Sequence, residues 1–151
     1  MSACSLTHIA LHVTDLDACI AFYTEYAGLC MLRDRRPHGA HGKRIVWLCE
    51  QGRETSFILV LLPGGPPKKQ SEDDFSHLGF ALASKAAVNE IAAQAEREGI
   101  LVWPCKQEPY PVGYYCGVKD PDGHFVEFSY GQPLGPGADD LIIKNEPSTS
   151  K

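Results

Sequence analysis

Leu6-Thr7-His8-Ile9-Ala10-Leu11-His12-Val13 and Phe75-Ser76-His77-Leu78-Gly79-Phe80-Ala81-Leu82 are two versions of one pattern. Each is an apolar, strand-like run with a histidine in third place, and His77 follows His8 by 69 residues. Self-similarity at a fixed spacing marks a chain assembled from copies of one supersecondary unit. Working outward, each run leads into a helix. Thr14 or Asp15 caps the first, with Asp17 three places after Thr14 in a capping-box arrangement, and Gly28 closes it. Its apolar face is Leu16, Cys19, Ile20, Tyr23 and Ala27. Ser84 caps the second, Ala87, Val88, Ile91, Ala92 and Ala95 make its stripe, and Gly99 ends it.

Three strand candidates follow each helix. They are Leu29 to Asp34, Arg44 to Cys49 and Phe57 to Leu62 in the first half. In the second they are Ile100 to Cys105, Tyr114 to Lys119 and His124 to Tyr130. Asp120-Pro121-Asp122-Gly123 joins the last two, with proline and glycine where a tight turn needs them. The final strands align across the halves, so that Val60 matches Glu127 and Gly64 matches Gly131. The reading is an α+β fold of two tandem βαβββ modules. Residues 1–131 make a single domain, with module one at about 6–64 and module two at about 75–131, and 132–151 make a mobile C-terminal tail. Pro63 to Asp74 is the linker, and Leu141-Ile142-Ile143 is a candidate apolar patch in the tail.

The bulk properties narrow the function. The chain has 151 residues, 44% hydrophobic, with a net charge of −5. That suits one globular domain and excludes the basic footprint of a nucleic-acid binder. No apolar run is long enough to span a membrane, and Met1 to Leu6 shows no secretory signal, so a cytoplasmic protein is expected. The six cysteines form no CxxC pair and read as free thiols packed as small apolar groups, with Cys49 and Cys116 the candidates for a reactive one.

Three residues carry the chemistry. His8 and His77 hold equivalent places on equivalent strands. Glu127 interrupts the apolar run Phe125-Val126-Glu127-Phe128, where a carboxylate is costly unless it is paired, exposed or bound to a metal. Each alone reads as an ordinary strand residue; together they read as a metal triad.

These features, with Phe22-Tyr23 in the first helix and the Asp120-Pro121-Asp122-Gly123-His124 turn leading to Glu127, resemble the vicinal oxygen chelate superfamily. That group includes glyoxalase I, methylmalonyl-CoA epimerase, fosfomycin-resistance proteins, extradiol dioxygenases and bleomycin-resistance proteins. The resemblance covers roughly residues 5 to 131. It implies that the two modules form a curved mixed sheet around a metal cleft, with one divalent metal held by His8, His77 and Glu127, Fe(II) or Mn(II) ahead of Ni(II) or Zn(II). It also implies a small-molecule substrate and a homodimer, the halves of one site coming from different chains in some members.

Departures from the family pattern sort the activities. Glyoxalase-I-like members carry a fourth ligand, usually Glu, where Val60 stands here, and Glu54 lies six residues away, about 20 Å along a strand. The remaining two-histidine, one-carboxylate set suits an oxygenase-like enzyme acting on a chelating diol. Ring-cleaving dioxygenases, however, carry a Tyr where Gly117 stands. The fosfomycin thiol transferases use Lys, Ser and Tyr, and Lys106 to Tyr114 contains no Ser. A dioxygenase-like enzyme is the leading expectation. The alternatives are a redox-neutral glyoxalase-like lyase or thiol transferase, and a metal-free binding protein of the bleomycin-resistance kind. His12 and Tyr115 are candidate catalytic groups, and Trp47, Val60 and Tyr114 are candidate substrate contacts. Trp103 is a further candidate for the cleft wall. Arg33 to Lys43 is a basic loop suited to steering an anion, and His124 reads as structural.

Overall fold

The computed structural model describes residues 4–36, 44–71, 73–136 and 138. Pro37 to Lys43 of the basic loop and the Leu141-Ile142-Ile143 patch lie outside the described residues. The element order is β1 (His8–Val13), α1 (Leu16–Glu25), β2 (Cys30–Arg35), β3 (Ile45–Cys49) and β4 (Ile58–Pro63), then β5 (His77–Ala81), α2 (Lys85–Glu98), β6 (Leu101–Gln107), β7 (Tyr114–Lys119) and β8 (Phe125–Tyr130). This is the expected βαβββ unit, twice. Each copy forms its own four-stranded mixed sheet, ordered β1-β4-β3-β2 and β5-β8-β7-β6. Two compact units result: residues 1–69 with 121–123, and residues 70–120 with 124–151. No helix among the described residues is long and apolar enough to cross a membrane.

In both units the first strand pairs in parallel with the last, and the other pairings are antiparallel. A parallel pair needs a long crossover, and the helix and two intervening strands provide it. The registers repeat as well. His8 pairs with Ile58 and Ala10 with Val60, while His77 pairs with Phe125 and Gly79 with Glu127. Val60 and Glu127 are therefore equivalent positions in the backbone, as the internal alignment places them.

Strand alternation sorts each sheet into two faces. In the second unit Val88, Ala92 and Ala95 of α2 are buried. The α2-facing side of the sheet carries Cys116, whose Sγ–H reaches the Val88 carbonyl at 3.7 Å, and Tyr114, whose hydroxyl donates to Asn89 Oδ1 at 2.7 Å. Glu127 and Ser129 project from the opposite face. In the first unit Val46, Leu48, Leu59 and Leu61 fill the core with Cys19, Phe22 and Tyr23 of α1. His8, Ala10, His12, Val60 and Trp47 share the other face by pairing and parity.

The ends of α2 form as their sequence dictates, whereas α1 differs at both ends: its C-cap is Tyr26 at φ −82°, whose N–H bonds the Phe22 carbonyl, and Gly28 follows beyond the helix at φ 64°. Ser84 accepts from Ala87 N–H at 3.1 Å, and Gly99 closes α2 at φ 71°. At α1 the cap is Asp15, which accepts from Ala18 N–H at 3.0 Å. Asp17 makes no capping box and pairs with Arg44 at 2.5 Å. Thr14 is directed to a different partner. Its backbone N–H donates to Asp122 Oδ1 at 2.6 Å, and its hydroxyl donates to the same oxygen. Asp122 is 2% exposed, and its carbonyl accepts from Lys68 N–H at 2.8 Å.

Replacing Asp122 with Ala leaves the Thr14 donors without their acceptor. Urea denaturation of Asp122→Ala is expected to show a loss of about 2 kcal/mol, the scale of hydrogen bonds to a charged group. An unchanged midpoint would show that this buried carboxylate contributes nothing to the fold.

Candidate metal centre

Glu127 is buried at 7% exposure in the middle of β8. Its neighbours in the ladder are both glycines, Gly79 on β5 and Gly117 on β7. Neither glycine places a side chain beside it; Trp103 of β6 is the next residue in the row, opposite Gly117, and the polar groups that reach the carboxylate come from other rows. Gln132 Nε2 donates to Oε1 at 3.0 Å. His77 Nε2 stands 3.6 Å from Oε2.

The His77 tautomer follows from its other nitrogen. Nδ1 lies 2.7 Å from the Phe75 carbonyl oxygen, which can only accept, so Nδ1 carries the proton. A neutral His77 therefore turns the Nε2 lone pair toward a carboxylate oxygen. At 3.6 Å the two atoms are too far apart for a hydrogen bond. Two ligand atoms on one divalent ion, with bonds of about 2.1 Å, stand roughly 3–3.5 Å apart. The pair thus fits a shared cation, and the Phe75 carbonyl and Gln132 amide are the kind of outer partners that orient such ligands.

The His77 ring is held laterally by aromatic contacts. Trp103 meets it edge-on with centroids 5.6 Å apart, and also touches Phe75 at 5.9 Å and Phe125 at 5.4 Å. The indole lies directly over Gly117: a Cβ there would come within 2.2 Å of Trp103 Cε3. A glycine is required at 117, and the space above it belongs to Trp103.

His8 sits on β1 of the first unit, exposed, with Nδ1 2.9 Å from Thr7 Oγ1. Among the described residues no group of three or more His, Cys, Asp and Glu side chains is poised to hold a metal. His77 and Glu127 are brought together within the second unit, and His8 belongs to the first. His12 shares the His8 face; its Nδ1 donates to the Gly64 carbonyl at 2.8 Å, which leaves Nε2 as a base. Trp47 is 40% exposed on that face beside Val60, with the Arg33 guanidinium 5.9 Å from its ring centre. Tyr115 pairs with Ser129, on the Glu127 face. Tyr114 points to the α2 side, and a hydrogen bond with Cys105, then burial, raises its phenol above the ordinary range.

Lys106, a candidate grip for an anion, is bound to Glu108 at 2.5 Å, and this bond raises its pKa. Just after the basic loop, Arg44 grips Asp34 through Nε and Nη2 at 2.8 and 2.9 Å and holds that carboxyl below its usual range. His124 is a turn residue, with both its N–H and its Nδ1 on the Asp120 carboxylate. A cavity of about 260 Å³ lies elsewhere in the second unit, between Lys85, Gln107, Tyr110 and Tyr130, and neither His77 nor Glu127 lines it.

Two residues of the site escape sequence reasoning. Gln132 falls in the stretch read as tail. It reaches Glu127 because the chain reverses after Gly131 and passes so close to β5 that a Cβ on Gly135 would lie 2.3 Å from that of Ala81. No local signal announces that contact. Ser129 did leave a signal, since it lies two residues after Glu127 and shares its face. Its hydroxyl is 1% exposed with no hydrogen-bond partner among the described residues, a mark of a polar site.

The sequence matches the family model of the Glyoxalase/Bleomycin resistance protein/Dioxygenase superfamily over residues 5–128. An uncharacterized protein of Pseudomonas aeruginosa is 58% identical over 139 residues, covering 92% of this chain and 97% of the relative. Glutathione transferase FosA of Serratia marcescens is 28% identical over 130 residues, covering 84% and 81%. The fold matches a fosfomycin resistance protein, FosX, of Listeria monocytogenes, solved with Mn(II) and 1S,2S-dihydroxypropylphosphonic acid. The TM-score is 0.64 at 19% identity, covering 85% of this chain and 93% of that one.

Gly117→Ala drives a methyl group into the Trp103 indole. It is expected to lower stability by about 1–3 kcal/mol, the usual cost of overpacking, as read by chemical denaturation. Wild-type stability in this variant would mean that the indole is free to leave its seat.

Proposed function

The chain belongs to the Glyoxalase/Bleomycin resistance protein/Dioxygenase superfamily, and from that premise we propose that it is a redox-neutral, metal-dependent enzyme that adds a thiol to a small substrate with neighbouring oxygens. His77 and Glu127 hold the metal, with His8 as third ligand, in a homodimeric protein. The observation that carries the reading is the seat of Trp103 on Gly117 beside His77. Ring-cleaving dioxygenases carry a tyrosine at that position, and here even a methyl group does not fit. The thiol finds support in the 28% identity to a glutathione transferase. Mn(II) is the first metal to try, since the carboxylate donor suits it and the FosX structure was solved with it. Lys106 is engaged by Glu108 and the segment lacks a serine, so no phosphonate is proposed as the substrate.

When bound, the metal would polarise the substrate oxygens as a Lewis acid. The protein's own groups do the rest. The Phe75 carbonyl keeps the His77 proton on Nδ1 and so keeps Nε2 available as a donor. Gln132 occupies Oε1 of Glu127 and leaves Oε2 for the metal. His12, with Nδ1 fixed by Gly64, is the candidate acceptor for the thiol proton, and Tyr115 is the candidate donor to the substrate. Trp47 and Val60 are the candidate apolar contacts.

An oxygenase is the second reading, favoured by Val60, which leaves three protein ligands and open coordination positions. Glutathione consumption by the Mn(II)-loaded protein under argon, with a panel of oxygen-chelating electrophiles, is the expected result. Oxygen uptake by the Fe(II)-loaded protein with catechols, and no thiol consumption, would transfer the assignment to the oxygenase.

Metal titration checks the ligand set directly. Wild type is expected to bind one Mn(II) per chain and Glu127→Gln to lose it. Gln132→Ala is expected to bind about 10- to 100-fold more weakly, the usual effect of removing an outer partner.

A further inference from the structure

Four of the six thiols, those of Cys30, Cys49, Cys105 and Cys116, lie in strands, and one pair stands apart from the proposed chemistry. Cys30 opens β2 and Cys49 closes β3. They are directly opposed in the antiparallel ladder, at the start of the pair. Directly opposed residues in such a ladder have Cα atoms about 4.5–5.5 Å apart, within the span that a disulfide bridges. The sulfurs already touch: the two Sγ atoms are 3.6 Å apart, and the Cys30 Sγ–H points to the Cys49 carbonyl at 3.3 Å. Both side chains therefore project to the same side. The two thiols also differ in access. Cys30 is half-buried, whereas Cys49 is 2% exposed.

We propose that Cys30 and Cys49 form a dithiol modification site that closes to an intramolecular disulfide by exchange with a low-molecular-weight disulfide. The half-buried Cys30 is the entry point. Its thiolate attacks one sulfur of the small disulfide, forms a mixed disulfide and releases one small thiolate. The Cys49 sulfur then attacks Cys30 Sγ, displaces the second small thiolate and closes the bond. The two protein thiols are oxidised, the small disulfide is reduced to two thiols, and the two protons pass to them. Exchange of this kind is set by which sulfur is reachable and by the thiolate available. Burial, then the Cys30 hydrogen bond, pushes the Cys49 thiol up to about 11. Cys49 is thus a poor first nucleophile and serves as the resolving partner. The closed bond would join β2 to β3 three residues before Arg33 and two residues after Trp47, which pair in the same ladder on the candidate substrate face.

The experiment uses the full chain carrying Cys4→Ser, which removes the exposed thiol of Cys4. Folded protein is incubated with glutathione disulfide, quenched in acid, digested and mapped by mass spectrometry. The expected result is a Cys30–Cys49 cross-linked peptide about 2 Da below the sum of the reduced peptides, reversed by dithiothreitol. Cys49→Ser is expected to stop at a glutathione adduct on Cys30, and Cys30→Ser to form neither adduct nor bridge at Cys49. If Cys49→Ser does not fold, the Cys30→Ser arm and the map of the Cys4→Ser parent still decide. Persistence of both thiols, a stable Cys30 adduct beside a free Cys49, or bridging of other cysteines would each overturn the proposal.

Discussion

The parallel register of β5 against β8 is the constraint on which the candidate centre depends. By pairing Gly79 with Glu127 and His77 with Phe125, it sets the imidazole in the neighbouring row and puts a glycine directly beside the carboxylate. A slip of one residue would turn Glu127 into the α2 face, among the buried apolar side chains of Val88, Ala92 and Ala95. The alternation of Phe125, Glu127 and Ser129 with Val126 and Phe128 guards against that slip, because the apolar residues are buried under α2 only in the observed register.

The first unit repeats that backbone and withdraws the chemistry. Val60 stands where Glu127 stands, and its row is filled by Ala10 and Trp47 in place of two glycines. A carboxylate at 60 would have an alanine and an indole beside it. The pair of glycines flanking Glu127 is thus a local property of the second unit and not of the fold. The same substitution logic explains Trp103. The glycine that clears space next to Glu127 also receives the indole that braces His77, so one residue serves both ligands.

Outside the centre, polar side chains spend their bonds on structure. Asp122 ties Thr14, Asp120 holds the turn through His124, Arg44 joins Asp34 and Asp17, and Glu108 takes Lys106. His77 and Glu127 contrast with these pairs, since Nε2 and Oε2 face each other at 3.6 Å, beyond hydrogen-bond reach. Ser129 adds a buried hydroxyl to the same face. Polarity without local satisfaction is concentrated where a ligand would bring the missing partners.

The sequence by itself determined the repeat, the order of its ten elements, the caps at Ser84 and Gly99 and the equivalence of Val60 with Glu127. These rest on periodicity and local backbone preferences, which neighbouring residues encode. It also marked His77 and Glu127, because a carboxylate in an apolar strand is conspicuous. Only the tertiary structure decided that Gln132 returns to Glu127, that Thr14 leaves the helix cap for Asp122, and that Cys30 meets Cys49. It also decided that Trp103 fills the space above Gly117. Each of those contacts joins residues brought together by chain reversal or strand pairing. Their partner is selected by packing in three dimensions, and no pattern within either segment names it.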